Sequence, residues 1–239
     1  MKAMIFAAGL GTRLQNETAA KPKALVDVGG KPLLYHAIGK LKNAGITEVV
    51  VNVHHFAGQV IEYIQSNDFG INVHISDERE LLLETGGGLK NAAPFLGGNE
   101  PILIYNVDIL CNIDLSQLVT EHLKSRSLAT LAVRKRETQR YFKFNADKQL
   151  VGWINKKTGE TKISRPDNFD LAEEMAFSGI HVVQPVIFNL MPENVRFSIT
   201  DFYLETAVTQ SIKGFYDTSD LWIDVGKPEQ LEEARRIFG

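Results

Sequence analysis

The apolar positions of this chain begin as an unbroken run, residues 3–7, that ends in Gly9-Leu10-Gly11. A run of that length without polar alternation predicts a parallel strand buried on both faces, leading into a glycine loop. The spacing then becomes helical. Leu33, Leu34, Ala37, Ile38, Leu41 and Ala44 share one stripe, with Pro32 suited to the first turn and Gly45 to the stop. Strands are predicted at 49–53, 71–75, 102–107 and 128–133, separated by helices at 56–64, 86–96 and 115–123. Alternation of this kind builds a parallel sheet with helices on both faces, whose ligands sit beyond the carboxyl ends of the strands.

The rhythm breaks between residues 134 and 174, where charged residues surround short alternating pieces at 141–145 and 150–154 and turn signals at 155–159 and 165–168. This predicts a β-hairpin or lid insertion, not a second domain. Alternation resumes at 176–183, then helices at 185–190 and 201–211, short strands near Phe215 and at 221–225, and a closing helix from Pro228. The expected fold is α/β: a Rossmann-like mixed, mainly parallel sheet, helices on both faces, and a small hairpin lid in a single domain, 1–239.

Composition narrows the function. The 239 residues carry 26 Lys+Arg against 29 Asp+Glu, a formal net charge of -3, which argues against a general nucleic-acid binder. A lone cysteine, Cys111, excludes an internal disulfide framework. No apolar stretch approaches the ~18–20 residues that span a bilayer. Residues 3–10 after Met1-Lys2 resemble a short secretory core, but Gly9, Gly11 and Arg13 follow at once with no small-x-small cleavage site. A cytoplasmic location is the expectation.

The candidate chemistry lies after the strands. Ala7-Ala8-Gly9-Leu10-Gly11-Thr12-Arg13-Leu14 reads either as a tight β–α turn or as a loop whose N–H groups receive an anion. Leu14 stands where a dinucleotide fingerprint wants its third Gly or Ala, and no Gly-Lys-Ser/Thr closes a P-loop, so NAD chemistry is disfavoured. Ten residues after Arg13 comes Lys23, in Pro22-Lys23-Ala24-Leu25. A glycine loop, a guanidinium and an ammonium together suit a triphosphate.

With these residues the chain resembles the sugar-1-phosphate nucleotidyltransferases, which share a Gly-x-Gly-Thr-Arg-Leu loop and a Pro-Lys-x-Leu ten residues beyond its Arg. The resemblance continues through Glu84-Thr85-Gly86-Gly87-Gly88, Asn106-Val107-Asp108, Phe177-Ser178-Gly179-Ile180, Ile199-Thr200-Asp201 and Trp222-Ile223-Asp224-Val225-Gly226. Two departures stand out: Asn16 occupies a position where proline is frequent, and the Glu-Lys-Pro segment that many hexose members use is missing.

The resemblance implies transfer of a nucleotidyl group from a nucleoside triphosphate to a sugar 1-phosphate, with release of pyrophosphate. Arg13, Lys23 and Asp108 are then the catalytic candidates. Ala8, Gly9, Gly11, Thr12, Thr85, Gly86 and Gly87 are the nucleotide-binding ones, the 85–87 loop receiving the base. Asn106 and Gly179 are candidates for the sugar; Gly179 reads equally as a β-bulge and Asn106 as a backbone partner. Asp108 and Asp224 read as turn caps or as ligands of Mg²⁺, which two carboxylates with phosphate oxygens and waters would suit.

The 84–88 loop looks most like that of uridylyltransferases acting on N-acetylmuramate 1-phosphate, from UTP. GTP-dependent guanylyltransferases for mannose or heptose 1-phosphate, and a non-catalytic nucleotide-sugar sensor, are the alternatives. Adjacent residues of a strand point to opposite faces, so His54-His55 are read as a loop feature and rejected as chelators. Arg134-Lys135-Arg136 reads as a solvated strand end first and as a patch over the active site second, and Ser178 has no His/Asp companions.

Overall fold

The computed structural model describes residues 1–239, apart from the side chains of Gln15, Asn16 and Asn168. The chain opens with β1 (Lys2–Phe6), the 3-10 turns Thr12–Thr18 and Lys23–Leu25, and a small hairpin of β2 (Asp27–Val28) and β3 (Lys31–Pro32). The alternating half comes next: α1 (Leu33–Asn43), β4 (Glu48–Val53), α2 (Ala57–Gln65), β5 (Asn72–Asp77), α3 (Glu84–Asn91), α4 (Ala93–Leu96) and β6 (Ile102–Asn106). It leads into β7 (Ile109–Cys111), α5 (Leu115–Ser125), β8 (Ala129–Arg134), β9 (Arg140–Phe144), β10 (Leu150–Asn155), β11 (Thr161–Ile163) and β12 (Glu173–Val183). The chain closes with α6 (Ile199–Thr206), β13 (Ile212–Tyr216), β14 (Trp222–Asp224) and α7 (Pro228–Phe238).

β1 pairs in parallel with β4 on one side and β6 on the other, and β4 pairs in parallel with β5. Because successive strand residues face opposite ways, the apolar runs divide between two layers. Ala3, Ile5, Val49, Val51, Leu103 and Tyr105 join the core beneath α1, α2, α5 and α7, while Met4, Val50, Ile102 and Ile104 join the one beneath α3, α4 and α6. Helices therefore cover both faces.

β12 turns the sheet antiparallel. Its residues 180–183 pair with β6, and its first residues, 173–175, pair with β9 of the insertion. The inserted region holds three strands, β9, β10 and β11, one more than the sequence pattern predicts, and is continuous with the main sheet through β12. Between Phe177 and His181 the register against β8 slips, with Gly179 at φ 76° inside the irregularity. The predicted helix at 86–96 begins earlier, at Glu84, and is broken at Ala92; the one at 185–190 is 3-10. Among the described residues no helix is long and apolar enough to cross a membrane.

Candidate active site

The chain leaves β1 towards β4 and β5, then returns to β6 on the opposite side of β1. Strand order thus reverses between β1 and β6, the point where an open α/β sheet leaves a crevice at its carboxyl edge. A cleft of about 400 Å³ lies there, lined by residues 6–9 after β1, Asn106, Val107 and Asp108 after β6, and Lys23, Asn52, Leu82, Glu84, Thr85 and Ser198.

The charged centre is assembled by three local devices. β14 pairs antiparallel with β7 so that Asp224 lies opposite Ile109, and Val225 N donates to the Asp108 carbonyl at 2.9 Å; Asp108 and Asp224, far apart in sequence, are thereby brought side by side. Lys23 begins the 3-10 turn after Pro22, is buried, and donates from Nζ to Oδ2 of Asp108. Arg13 leaves the first turn after Gly11, and a methyl at Gly226 would stand 3.0 Å from its Nη2 and 2.8 Å from Asp224 Oδ1.

Burial raises the pKa of Asp224 and the neighbouring Asp108 carboxylate raises it further, against the pull of Lys23, Arg13 and Arg136. Its Oδ1 is buried and has no hydrogen-bond partner among the described residues. An orphaned carboxylate oxygen beside a second carboxylate fits a divalent cation completed by phosphate and water oxygens. Among the described residues no set of three or more His, Cys, Asp or Glu side chains forms an all-protein cage.

The other wall is tied together from behind. Asn52 Oδ1 accepts from the N–H of Ala7 at 2.7 Å and of Ala8 at 3.3 Å, and its amide donates to Glu78 Oε1 at 2.8 Å. Glu78 Oε2 accepts from Leu83 N at 3.4 Å. Burial raises the pKa of this carboxyl, opposed by the hydrogen bonds from Asn52 and Leu83. The Ala8 N–H, expected to face an anion, is committed to Asn52; Ala8 and Gly9 still line the cleft.

Gly86 and Gly87 differ from expectation. Their N–H groups donate to the Phe197 carbonyl at 2.9 and 3.3 Å, and a methyl on either would strike Phe197 or the Val195 carbonyl. Their bareness lets residues 195–197 pack close behind the wall, while Glu84 and Thr85 line the cleft itself. Thr85 Oγ1 accepts from Ile199 N at 3.0 Å. Glu84 holds a left-handed φ of 62°, unusual for a side-chain-bearing residue, and pairs with Arg196 at 3.0 Å. Gly11 and Thr12 are outside the lining of this cleft, at the start of the 3-10 turn that carries Arg13.

The sugar candidates meet each other: a methyl at Gly179 would stand 2.9 Å from Asn106 Nδ2. Arg136 follows the second of its two sequence readings, lying beside the charged centre rather than in open solvent. It lies over the Trp222 ring, 4.4 Å from its centroid, and lines a hollow of about 550 Å³ together with Arg13 and Asp224. Trp222 itself is fixed by donating from Nε1 to the Ser178 carbonyl at 3.0 Å. His54 serves the scaffold, donating from Nδ1 to the Glu78 carbonyl at 2.6 Å.

Comparison with known proteins identifies the family of the chain. The family described as nucleotidyl transferase matches residues 2–238. N-acetylmuramate alpha-1-phosphate uridylyltransferase of Neisseria meningitidis serogroup B is 33% identical, over 100% of this chain and 99% of that protein. Mannose-1-phosphate guanyltransferase of Yarrowia lipolytica is 29% identical over 100% of this chain, which spans 64% of its length. The crystal structure of HddC from Yersinia pseudotuberculosis shares the fold, with a TM-score of 0.81 at 24% identity, covering 100% of this chain and 99% of that one. The family match over residues 2–238, with the 33% identity to a protein of nearly the same length, places the chain in the nucleotidyl transferase family, as a sugar-1-phosphate nucleotidyltransferase.

Proposed function

We propose that this protein transfers a uridylyl group from UTP to N-acetylmuramate 1-phosphate, and that residues 1–239 act as one domain with β9–β11 as its lid. The observation that carries the reaction is the convergence of Lys23, Asp108, Asp224 and Arg13 beside the cleft. The substrate pair is supported by the 33% identity to the meningococcal uridylyltransferase, whose length this chain matches almost end to end. A second uridylyltransferase of the same name, from Caulobacter vibrioides, is 32% identical over 92% of its length.

In the proposed reaction a non-bridging oxygen of the sugar phosphate attacks the α-phosphorus of UTP. The new P–O bond forms as the bond from that phosphorus to the β-phosphate oxygen breaks, and pyrophosphate leaves with the electron pair. No covalent enzyme intermediate is needed, so the protein's work is positioning and charge neutralisation. Lys23 holds the α-phosphate or the incoming sugar phosphate, exchanging part of its bond to Asp108 for phosphate oxygens. Arg13, which has no ion pair among the described residues, holds the leaving pyrophosphate. Asp108 and Asp224 would hold Mg²⁺, which when bound would supply charge neutralisation for the reacting phosphates. Thr85 and the neighbouring backbone receive the base, while Asn106 and the bulge at Gly179 face the sugar.

A second reading, guanylyl transfer from GTP to mannose 1-phosphate, is favoured by the 29% identity to the Yarrowia enzyme. A non-catalytic sensor is disfavoured because Arg13, Lys23, Asp108 and Asp224 are all kept. The test is Mg²⁺-dependent pyrophosphate release with UTP, GTP, CTP, dTTP and ATP crossed against N-acetylmuramate, mannose, glucose and heptose 1-phosphates. Strong preference for UTP with N-acetylmuramate 1-phosphate is the expected result. Preference for GTP with mannose 1-phosphate selects the second reading.

A further inference from the structure

Beside the strand-end cleft, a hollow of about 470 Å³ opens between β12 and the inserted strands; Phe142, Trp153 and Phe177 line it, with Arg136, Arg140 and Lys162 among its polar groups. The three cations differ in what they already touch. Lys162 donates to Asp201 at 2.7 Å. Arg136 donates from Nη2 to the Phe177 carbonyl at 3.1 Å, but its Nε is buried with no acceptor among the described residues. Arg140 is exposed at the rim. Neither guanidinium has a carboxylate within ion-pair distance among the described residues.

Both arginines also line the neighbouring hollow that holds Arg13 and Asp224. They therefore join the hollow of the charged centre to the aromatic-lined space beside it. A buried guanidinium N–H without an acceptor is costly, and the hydroxyls of a neutral sugar are weak acceptors for it. A carboxylate supplies charge-assisted, two-oxygen acceptance that matches the guanidinium fork. The flanking rings suit the apolar methyl and ring C–H faces beside such a group.

We propose that Arg136 and Arg140 form a subsite for a carboxylate carried by the sugar, selecting acidic sugar 1-phosphates over their neutral counterparts. This deepens, and rests on, the N-acetylmuramate reading: that sugar is N-acetylglucosamine bearing a lactyl ether, and hence one extra carboxylate. With Lys162 already paired to Asp201, the two arginines are the cations of the hollow left to receive it among the described residues.

The experiment compares kcat/KM with UTP for N-acetylmuramate 1-phosphate and N-acetylglucosamine 1-phosphate, in the wild type, R140Q, R140K and R136Q. The wild type should prefer the acidic sugar. R140Q and R136Q should each reduce that preference by roughly 10–100-fold, the size of a charge-assisted hydrogen bond, chiefly through the KM of the acidic sugar. R140K, which keeps the charge but not the fork, should fall between. Equal losses on both sugars, or a wild type that prefers the neutral one, overturn the subsite while leaving the reaction intact. Turnover of mannose 1-phosphate with GTP but of neither N-acetyl sugar overturns the muramate reading instead. In that case the subsite survives only if glucuronate 1-phosphate outperforms glucose 1-phosphate and R140Q erases the difference.

Discussion

Asn52 and Glu78 meet across 2.8 Å behind the cleft, the amide of one donating to the buried carboxyl of the other. Through Asn52 Oδ1 this pair holds the Ala7 and Ala8 N–H groups, and through Glu78 Oε2 it holds Leu83 N. The end of β1 and the 82–85 segment are thus fixed by one buried polar unit set behind the reacting centre. Asn52→Ala removes the acceptor of two backbone donors and should cost about 1–3 kcal/mol of stability. It should also raise the KM for the nucleoside triphosphate more than that for the sugar phosphate. Glu78→Gln places an amide N–H₂ against a facing donor and should give the same KM pattern. Thermal unfolding and two-substrate kinetics check both, and equal rises in the two KM values would contradict the assignment to the nucleotide wall.

Asp108→Asn should lower turnover by at least roughly 10²–10³-fold, the range for losing a group that stabilises developing charge. The ion pair with Lys23 adds a second consequence. Lys23 is only 8% exposed, so the substitution leaves a largely buried ammonium without its anion, and the melting temperature should fall as well. Arg13→Ala should show a comparable loss of pyrophosphate release with little change in melting temperature, because Arg13 is exposed and has no ion pair to lose among the described residues. Activity and unfolding measured on the same preparations separate the two effects.

The portions of this molecule legible in the sequence are those set by a strand and the loop that leaves it. β1 and its loop, and Asp108 after β6, sit at the ends of apolar runs, so periodicity puts them at one edge of the sheet; Lys23 is picked out by its ten-residue spacing from Arg13 and by the family resemblance. Asn52 and Glu78 were not legible, and Arg136 was legible only as the less favoured of two readings. Asn52 lies in β4 and Glu78 directly follows β5, and their role exists only because the parallel register sets those strands side by side. Arg136 looks like a charged strand end, but β8 stops at Arg134, and the next two residues carry the guanidinium onto the distant Trp222. Gly86 and Gly87 show a different limit: a missing side chain reads as room for a ligand, whereas the space on the Cβ side is occupied by residues 195–197.

That difference gives a paired test. A methyl at Gly87 would stand 2.1 Å from the Val195 carbonyl oxygen, so the backbone must move. Gly87→Ala should cost about 1–3 kcal/mol, the usual range for overpacking, and weaken nucleotide binding only through the displaced wall. A methyl at Gly9 meets nothing within 4 Å, yet Gly9 lines the cleft. Gly9→Ala should therefore keep the wild-type melting temperature and raise the KM for the nucleoside triphosphate. If Gly9→Ala were the less stable of the two, the placement of these glycines would be contradicted.

Acid should destabilise the fold through two buried histidines. Burial lowers the pKa of His181 to about 3 and of His122 to about 4, below the ordinary value of 6.5. Between those values and 6.5 the unfolded chain binds more protons than the native one, so stability is fully present above pH 6.5 and declines as pH falls through that window. The two residues differ in their partners. Gln184 Nε2 donates to Nε2 of His122 at 2.9 Å, leaving Nδ1–H to donate to Thr130 Oγ1 at 2.9 Å. His181 sits among the rings of Phe6, Phe177 and Tyr203 with neither nitrogen bonded among the described residues. His181→Phe should therefore flatten the decline in melting temperature between about pH 6.5 and 4 without loss at about pH 7.5. His122→Phe should also flatten it but lower stability at every pH, because Gln184 and Thr130 lose their partner. An unchanged acid limb in His181→Phe would show that this ring is protonated, and hence hydrated, in the native state.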